Sequence, residues 1–296
     1  MLTRIISGAV GVVLIGIVLF FHDTIVLPIA VAAIIAVMLF ELLRAVKLHK
    51  CMPILLAAEA AGVSVPLIYY LTSIDKVIYD YTVAGIQGDA EFYSASVSEV
   101  NRIFQFVIVL AAAFVIFITW LKKHKEIRYE QVFFVLAVMI LVPQAMSTMV
   151  RIERYDSQSG LFLLIMGLCG AWIADTGAYF TGVAIGKHKL CPEISPKKTI
   201  EGLVGGILTT AIAYAVAFSC YYGFTGKRAA VAFITGAVCA VIGTVGDLSA
   251  SMVKRQIGFK DYGKIMPGHG GLMDRFDSVL FVLPTFYVFI TLFGVQ

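Results

Sequence analysis

Charge is what this sequence has least of. Only 14% of its 296 residues are Asp, Glu, Lys or Arg, while 60% are hydrophobic. A soluble domain averages about 25% charged and roughly 45–50% apolar. A soluble fold of this size would leave large apolar patches in water, so the soluble, disordered, collagen-like and coiled-coil classes are excluded. Cysteine is scarce too. Five residues are too few and too scattered for a disulfide framework, and no C-x-x-C or H-x-x-x-H spacing suggests zinc. Cys169, Cys220 and Cys239 lie inside apolar runs and read as small hydrophobes. No Walker loop and no G-x-G-x-x-G fingerprint is present, so nucleotide binding by those routes is not indicated. There is no sustained repeat, no low-complexity tract and no separate soluble domain, and no nucleic-acid partner is expected.

What is present is a series of long apolar runs. A helix crossing a hydrocarbon core of about 30 Å needs roughly 20 mostly apolar residues. Nine runs qualify as candidates, at about 5–21, 25–43, 53–72, 103–121, 130–149, 161–186, 202–223, 229–248 and 276–294. They are continuous and do not alternate with period two, so they predict helices and not the strands of a barrel. The expected fold is an all-α polytopic membrane protein. The first run imitates a signal peptide, with Arg4 before it and Ala30-Val31-Ala32 after it. Its length, and the position of that motif inside a second apolar run, favour a retained helix.

The basic residues orient the chain. With the N-terminus in the cytoplasm and nine spans, seventeen of the 23 Lys and Arg fall on the inside and six outside. The inside set includes Lys122, Lys123 and Lys125, Lys187 to Lys198, and Lys254 to Arg275. This bias matches the positive-inside rule and predicts an outside C-terminus. The longest outside loop, 73–102, carries Asp75, Asp80, Asp89, Glu91 and Glu99 against two basic residues. The expected division is 1–125, four spans with that loop, followed by 126–296, five spans bearing the chemistry.

Polar residues that a membrane protein should avoid concentrate after residue 170, in three segments. Ala174-Asp175-Thr176-Gly177-Ala178-Tyr179 puts a carboxylate inside a span. That costs about 2.5–3.5 kcal/mol on insertion scales, so Asp175 must face a polar cavity or a partner. An interhelical hydrogen bond that only fixes packing is the alternative. Ser195-Pro196-Lys197-Lys198-Thr199-Ile200-Glu201-Gly202 sets two lysines and a threonine before a helix, after a proline that demands extended backbone. Free N–H groups, dipole and ammonium groups would suit an anion there. Thr199 serves equally as a helix N-cap, with the lysines obeying the positive-inside rule. Gly202, Gly205 and Gly206 permit close helix packing.

The third segment runs from Gly246-Asp247 to Asp277. If the eighth span stays helical, Asp247, Ser251, Lys254 and Arg255 are spaced i, i+4, i+7, i+8 and share a face. An acid, a hydroxyl and two cations on one stripe suit a metal and phosphates. Pro267-Gly268-His269-Gly270-Gly271 is a tight turn that leads to Asp274 and Asp277 at i, i+3. A solvated positive-inside face accounts for the lysines but not for the acids alternating with them.

Here the sequence resembles the phosphatidate cytidylyltransferases, also called CDP-diacylglycerol synthases. Their carboxy-terminal signature reads off as Ser251, Lys254-Arg255, Lys260-Asp261, His269-Gly270-Gly271 and Asp274-Arg275-x-Asp277. The Asp175 and Ser195–Gly202 segments also look like family motifs in the same order. Ile200 stands where an aromatic is common and Met266 where Ile, Leu or Phe is usual. The resemblance is specific from about residue 170 onward.

The resemblance implies that CTP and phosphatidic acid within the bilayer give CDP-diacylglycerol and pyrophosphate. It implies Mg²⁺, with a two-metal site, held by Asp247 and Asp274 with Asp277 close by. Lys254, Arg255, Lys197 and Lys198 would neutralise phosphates and Ser251 would donate to one. Thr199, Asp175 and Arg275 complete the expected substrate-binding set. The second pKa of a phosphomonoester is near 6, so the nucleophile needs no base. His269 is therefore expected to stabilise its turn rather than to act as one. The site is expected on the cytoplasmic side of the cell membrane, and a homodimer is compatible with it. Two other classes compete. A CTP-dependent lipid-alcohol kinase would need a base for a neutral hydroxyl. An ion-coupled transporter would need midplane acids and inverted repeats.

The orientation is directly testable. Cysteines introduced one at a time between 254 and 275 are expected to resist an impermeant thiol reagent in intact cells and to react after the membrane is opened. Labelling from outside would reverse the topology.

Overall fold

The computed structural model describes residues 2–83, 90–263, 265 and 270–294, with side chains from 8–73 and from 99 onward within those ranges. The elements are α1 (Leu2–Phe20), α2 (Val26–Ala45), α3 (Met52–Val83), α4 (Ala90–Lys122), α5 (Tyr129–Met146), α6 (Thr148–Glu153) and α7 (Gly160–Ile185). A short hairpin follows, β1 (Lys189–Cys191) and β2 (Ser195–Thr199), then α8 (Ile200–Tyr222), α9 (Gly226–Ile257), α10 (Met273–Phe276) and α11 (Val279–Phe293). Each of the nine apolar runs falls on helix. Among the described residues, eight helical stretches are long and apolar enough to cross a bilayer, and Gly8–Phe20 forms a shorter apolar one. Their outward faces are apolar as well: Phe104, Phe114 and Val183 are exposed, as side chains bathed in lipid should be. The protein is a multi-pass helical membrane protein. Pro66, Pro143 and Pro284 sit inside helices, which membrane helices tolerate when neighbours re-satisfy the freed carbonyls.

The chain forms two compact units. One comprises residues 1–154 together with 262–273; the other comprises 155–261 together with 274–296. The expected boundary at 125 lies in the α4–α5 turn, inside the first unit.

In the first unit α3 packs on α2, α4 and α5. Ala57, Ala58 and Ala61 of α3 meet Leu43, Ile116, Val135 and Met139 in a buried apolar core. Small residues on α3 let bulky neighbours close over it. At one end, Glu153 is hydrogen-bonded to His22 at 3.0 Å and ion-paired with Arg154 at 3.0 Å. Tyr69 donates to Gln144 at 2.6 Å.

In the second unit α7, α8 and α9 pack side by side. Glycine sets their spacing: a Cβ at Gly206 would lie 2.7 Å from the Ala174 carbonyl oxygen, and one at Gly236 equally close to the Thr210 carbonyl. The helices therefore touch backbone to backbone, the contact that membrane helices favour. Tyr214 is fully buried among them and donates to the Met166 carbonyl at 2.7 Å. Before α7, Asp156 accepts from the Ser159 hydroxyl and, at 3.1 Å, from its amide. The hydroxyl above all holds the Asp156 carboxyl below the usual range.

Gly206→Val is expected to force α7 from α8 and lower the thermal unfolding midpoint, since overpacking costs about 1–3 kcal/mol. Gly16→Ala, with nothing within 4 Å of the new methyl, is the control and should leave the midpoint unchanged.

Candidate active site

Every described residue of the three polar segments lies in the second unit, except those of the 262–273 stretch. Local sequence explains their placement. α9 continues without a break through Asp247, Ser251, Lys254 and Arg255, as the stripe required, and stops at Gly258. That glycine takes φ +80°, a left-handed conformation in which the Phe259 amide reaches back to the Lys254 carbonyl at 2.9 Å.

The Ser195–Gly202 segment leads into α8 as expected, with Lys197 and Lys198 directly before the N-cap Thr199. The lysines also form part of β2, which pairs with β1 in antiparallel register, Lys189 opposite Thr199 and Cys191 opposite Ser195. Pro196 keeps the strand extended, as its ring demands. Thr199 caps α8, its hydroxyl accepting from the Gly202 amide at 3.1 Å. Strand alternation parts the lysines: Lys198 is partly buried and ion-paired with Asp247, whereas Lys197 is exposed. Glu201, in the first turn of α8, binds His188 at 2.6 Å and ties the hairpin to the helix.

Two further pairs assemble the site. Lys254 Nζ lies 2.8 Å from Asp274 Oδ1, with both side chains nearly buried. Arg255 donates from Nε to the Ile194 carbonyl at 3.4 Å, joining the end of α9 to the hairpin. Gly246 lets α9 approach α11 closely: a Cβ there would lie 2.8 Å from the Asp277 carbonyl oxygen. The next residue, Asp247, consequently stands beside the buried Asp277, whose Oδ1 accepts from the Ser278 amide at 2.8 Å. Asp175 is accessible and lies within electrostatic reach of Lys198, Asp247 and Arg275. Ser251 is partly buried on the same helix and Arg275 is exposed. His269 lies outside the described residues.

The result is an alternation of carboxylates and cations at the ends of packed helices. Two carboxyls side by side cannot both be ionised cheaply without a proton or cation between them. Asp277 places a carboxyl next to Asp247, and Asp274 pairs with Lys254. Among the described residues no three acids, histidines or cysteines converge as a cage. That donor set fits Mg²⁺, which is usually held by one or two carboxylates and completes its octahedron with water and substrate phosphates. Lys198 and Lys254 stand beside it where phosphate charge would need neutralising.

The profile of the cytidylyltransferase family matches residues 2–293. A phosphatidate cytidylyltransferase of Bacillus subtilis (strain 168) is 36% identical over 196 residues, 66% of this chain and 72% of that protein. One from Haemophilus influenzae is 44% identical over 144 residues, 47% of this chain and 50% of its own length. One from Staphylococcus aureus (strain COL) is 44% identical over 133 residues, 44% of this chain and 50% of its own. The latter two matches thus span about half the relatives' length. Since the family profile extends over nearly every residue, through both units and all three polar segments, the chain belongs to the cytidylyltransferase family.

Proposed function

We propose that the protein transfers the cytidylyl group of CTP to phosphatidic acid, giving CDP-diacylglycerol and pyrophosphate. The observation that carries this reading is the Asp247–Asp277 pair flanked by Lys198 and Lys254 at the ends of membrane helices. It has the charge pattern of a polyphosphate site, beside helices that a lipid substrate can reach from the bilayer. The names borne by the relatives point to the same reaction. The basic-residue bias favours a cytoplasmic face of the cell membrane, where CTP is found.

In this reading a phosphate oxygen of phosphatidic acid attacks the α-phosphorus of CTP and forms the new P–O bond. The bond from that phosphorus to the β-phosphate bridging oxygen breaks, and pyrophosphate leaves with its electron pair. Such a displacement asks the protein mainly for positioning and charge stabilisation. Asp247 and Asp277 would hold Mg²⁺, with Asp274 contributing if Lys254 releases it. Bound Mg²⁺ supplies Lewis-acid stabilisation of the phosphate oxygens. Lys198 and Lys254 exchange their carboxylate partners for phosphate oxygens as substrate arrives. Arg255 and Ser251 extend the donor surface along α9, and Arg275 extends it from α10. Asp175 keeps Lys198 and Arg275 oriented in the absence of substrate. The attacking phosphate is already largely ionised at neutral pH, so no residue is required as a base.

CTP labelled separately at the α- and γ-phosphates tests the reaction. The α label is expected in lipid and the γ label in pyrophosphate; γ label in lipid would make the protein a kinase.

Single-residue changes test the site. Asp247→Asn and Asp277→Asn are each expected to abolish turnover in folded, inserted protein. Lys198→Met deletes an ammonium but keeps the stem. A lost charged contact to phosphate costs about 1.5–3 kcal/mol, or roughly ten- to hundredfold in kcat/KM. Lys197→Met should cost distinctly less, because strand alternation turns it away. Equal losses for the two lysines, measured with CTP and phosphatidic acid varied separately, would contradict the assignment of Lys198 alone to the phosphates.

A further inference from the structure

The acid with the most specific surroundings in the first unit belongs to none of the three polar segments. Glu41 sits in the apolar run of α2, four residues before its end, and is 1% exposed. Its carboxylate accepts two backbone hydrogen bonds from residues far along the chain. Leu272 donates to Oε1 at 3.1 Å and Met273 donates to Oε2 at 2.8 Å. Each oxygen thus takes one amide of consecutive residues, a two-point grip that fixes both place and orientation of that peptide.

The glycines around it exist for this contact. A Cβ on Gly263 would overlap the Glu41 carboxylate. One on Gly271 would lie 2.6 and 2.7 Å from its two oxygens and 2.5 Å from the Gly263 amide nitrogen. Two strands of backbone therefore close over one carboxylate where no side chain fits. Tyr262, next to Gly263, is buried too. The stretch 262–273 groups with α2 in the first unit on the strength of such contacts. A buried carboxylate is costly unless donors meet it, and backbone amides aimed at it are a strong solution.

The consequence follows from covalent connection alone. Met273 is joined by its peptide bond to Asp274, which binds Lys254, and the same short helix leads to Asp277. We propose that Glu41 is a positioning residue: by gripping the Leu272 and Met273 amides it sets the start of α10, and with it the placement of the carboxylates that follow. In this role Glu41 acts on the main chain rather than on substrate. Its effect is exerted through the main chain, so it governs cation affinity and turnover more than lipid binding. The activity readout rests on the proposed transferase reaction; the two other readouts do not.

The test compares wild type with Glu41→Gln, Glu41→Ala and Gly271→Ala, all as purified full-length protein in detergent. Glu41→Gln keeps shape and volume but presents an amide donor to one of the two amides. Gly271→Ala keeps the carboxylate and pushes it off its seat. The first readout is hydrogen exchange at Leu272 and Met273, where protection should fall at least tenfold in each variant. The second is Mn²⁺ binding by electron paramagnetic resonance, as a probe for Mg²⁺, where affinity should fall several-fold. The third is steady-state kinetics: kcat should fall at least tenfold and the Mg²⁺ concentration for half-maximal rate should rise, with KM for phosphatidic acid within about twofold. Leu39→Ala, a buried neighbour on α2, controls for general destabilisation. It should lower the unfolding midpoint and leave exchange at 272–273, Mn²⁺ affinity and Mg²⁺ dependence at wild-type values.

If Glu41→Ala does not accumulate, Glu41→Gln carries the test. Wild-type exchange, Mn²⁺ affinity and kcat in Glu41→Gln would overturn the proposal. So would the same shift of Mg²⁺ dependence in Leu39→Ala. A wild-type protein inactive with CTP and phosphatidic acid would overturn the proposed reaction instead, and the exchange and Mn²⁺ readouts would still decide the role of Glu41.

Discussion

A charge held among membrane-spanning helices has to meet an opposite charge or a set of hydrogen-bond donors, because hydrocarbon offers neither. That constraint organises the polar part of this protein. Asp247 meets Lys198, Asp274 meets Lys254, and Glu41 meets two backbone amides. Each contact ties together parts of the chain that are distant in sequence: strand β2 to helix α9, α9 to α10, and α2 to the stretch before α10. The contacts are thus the fastening of the polar region. In the proposed reaction, the lysines that neutralise carboxylates without substrate are the groups that would receive phosphate when substrate is present. An exchange of anionic partners avoids ever leaving a buried cation unpaired, the state that costs most.

The second requirement is close approach. Carboxylates on different helices become neighbours only if the helix axes come nearer than large side chains allow. Gly246 provides this where α9 meets α11, next to Asp247; Gly206 and Gly236 provide it between α7, α8 and α9. The same absence of side chains at Gly263 and Gly271 lets backbone fold over Glu41. In a soluble protein, apolar burial would hold such elements together. Between membrane helices, lipid is as apolar as leucine, so backbone contact and polar pairing take over that role.

Much of this was legible beforehand, and the reasons are specific. Apolar runs of span length read as helices in a bilayer, and among the described residues all nine fall on helix, eight of them on stretches long enough to span. Pro196 forced extended backbone, and Thr199 before an acidic first turn offered a cap as one of two equal readings, the cap being present. The spacing of Asp247, Ser251, Lys254 and Arg255 depended only on α9 staying helical, which it does. The hairpin was not legible: three and five residues give too short a period-two pattern to separate strand from loop. The unlike fates of Lys197 and Lys198 followed from that hairpin. Glu41 was missed because no motif surrounds it, although an acid two residues inside the end of the 25–43 apolar run was itself the available signal.

The sequence by itself determined what depends on neighbours along the chain: helical spans, caps, the extended proline, the inventory of acids and cations, and the family. These follow from local sterics and from the hydrophobic demand of the bilayer, which a linear pattern expresses fully. Only the tertiary structure decided which charges pair: that Asp277 lies beside Asp247 and Asp274 beside Lys254, that Lys198 turns inward while Lys197 does not, and that Glu41 seats the amides of Leu272 and Met273. Partner choice depends on distances across helices. Those distances are set by packing among residues far apart in the chain, and alternatives one helical turn away are indistinguishable in the linear order.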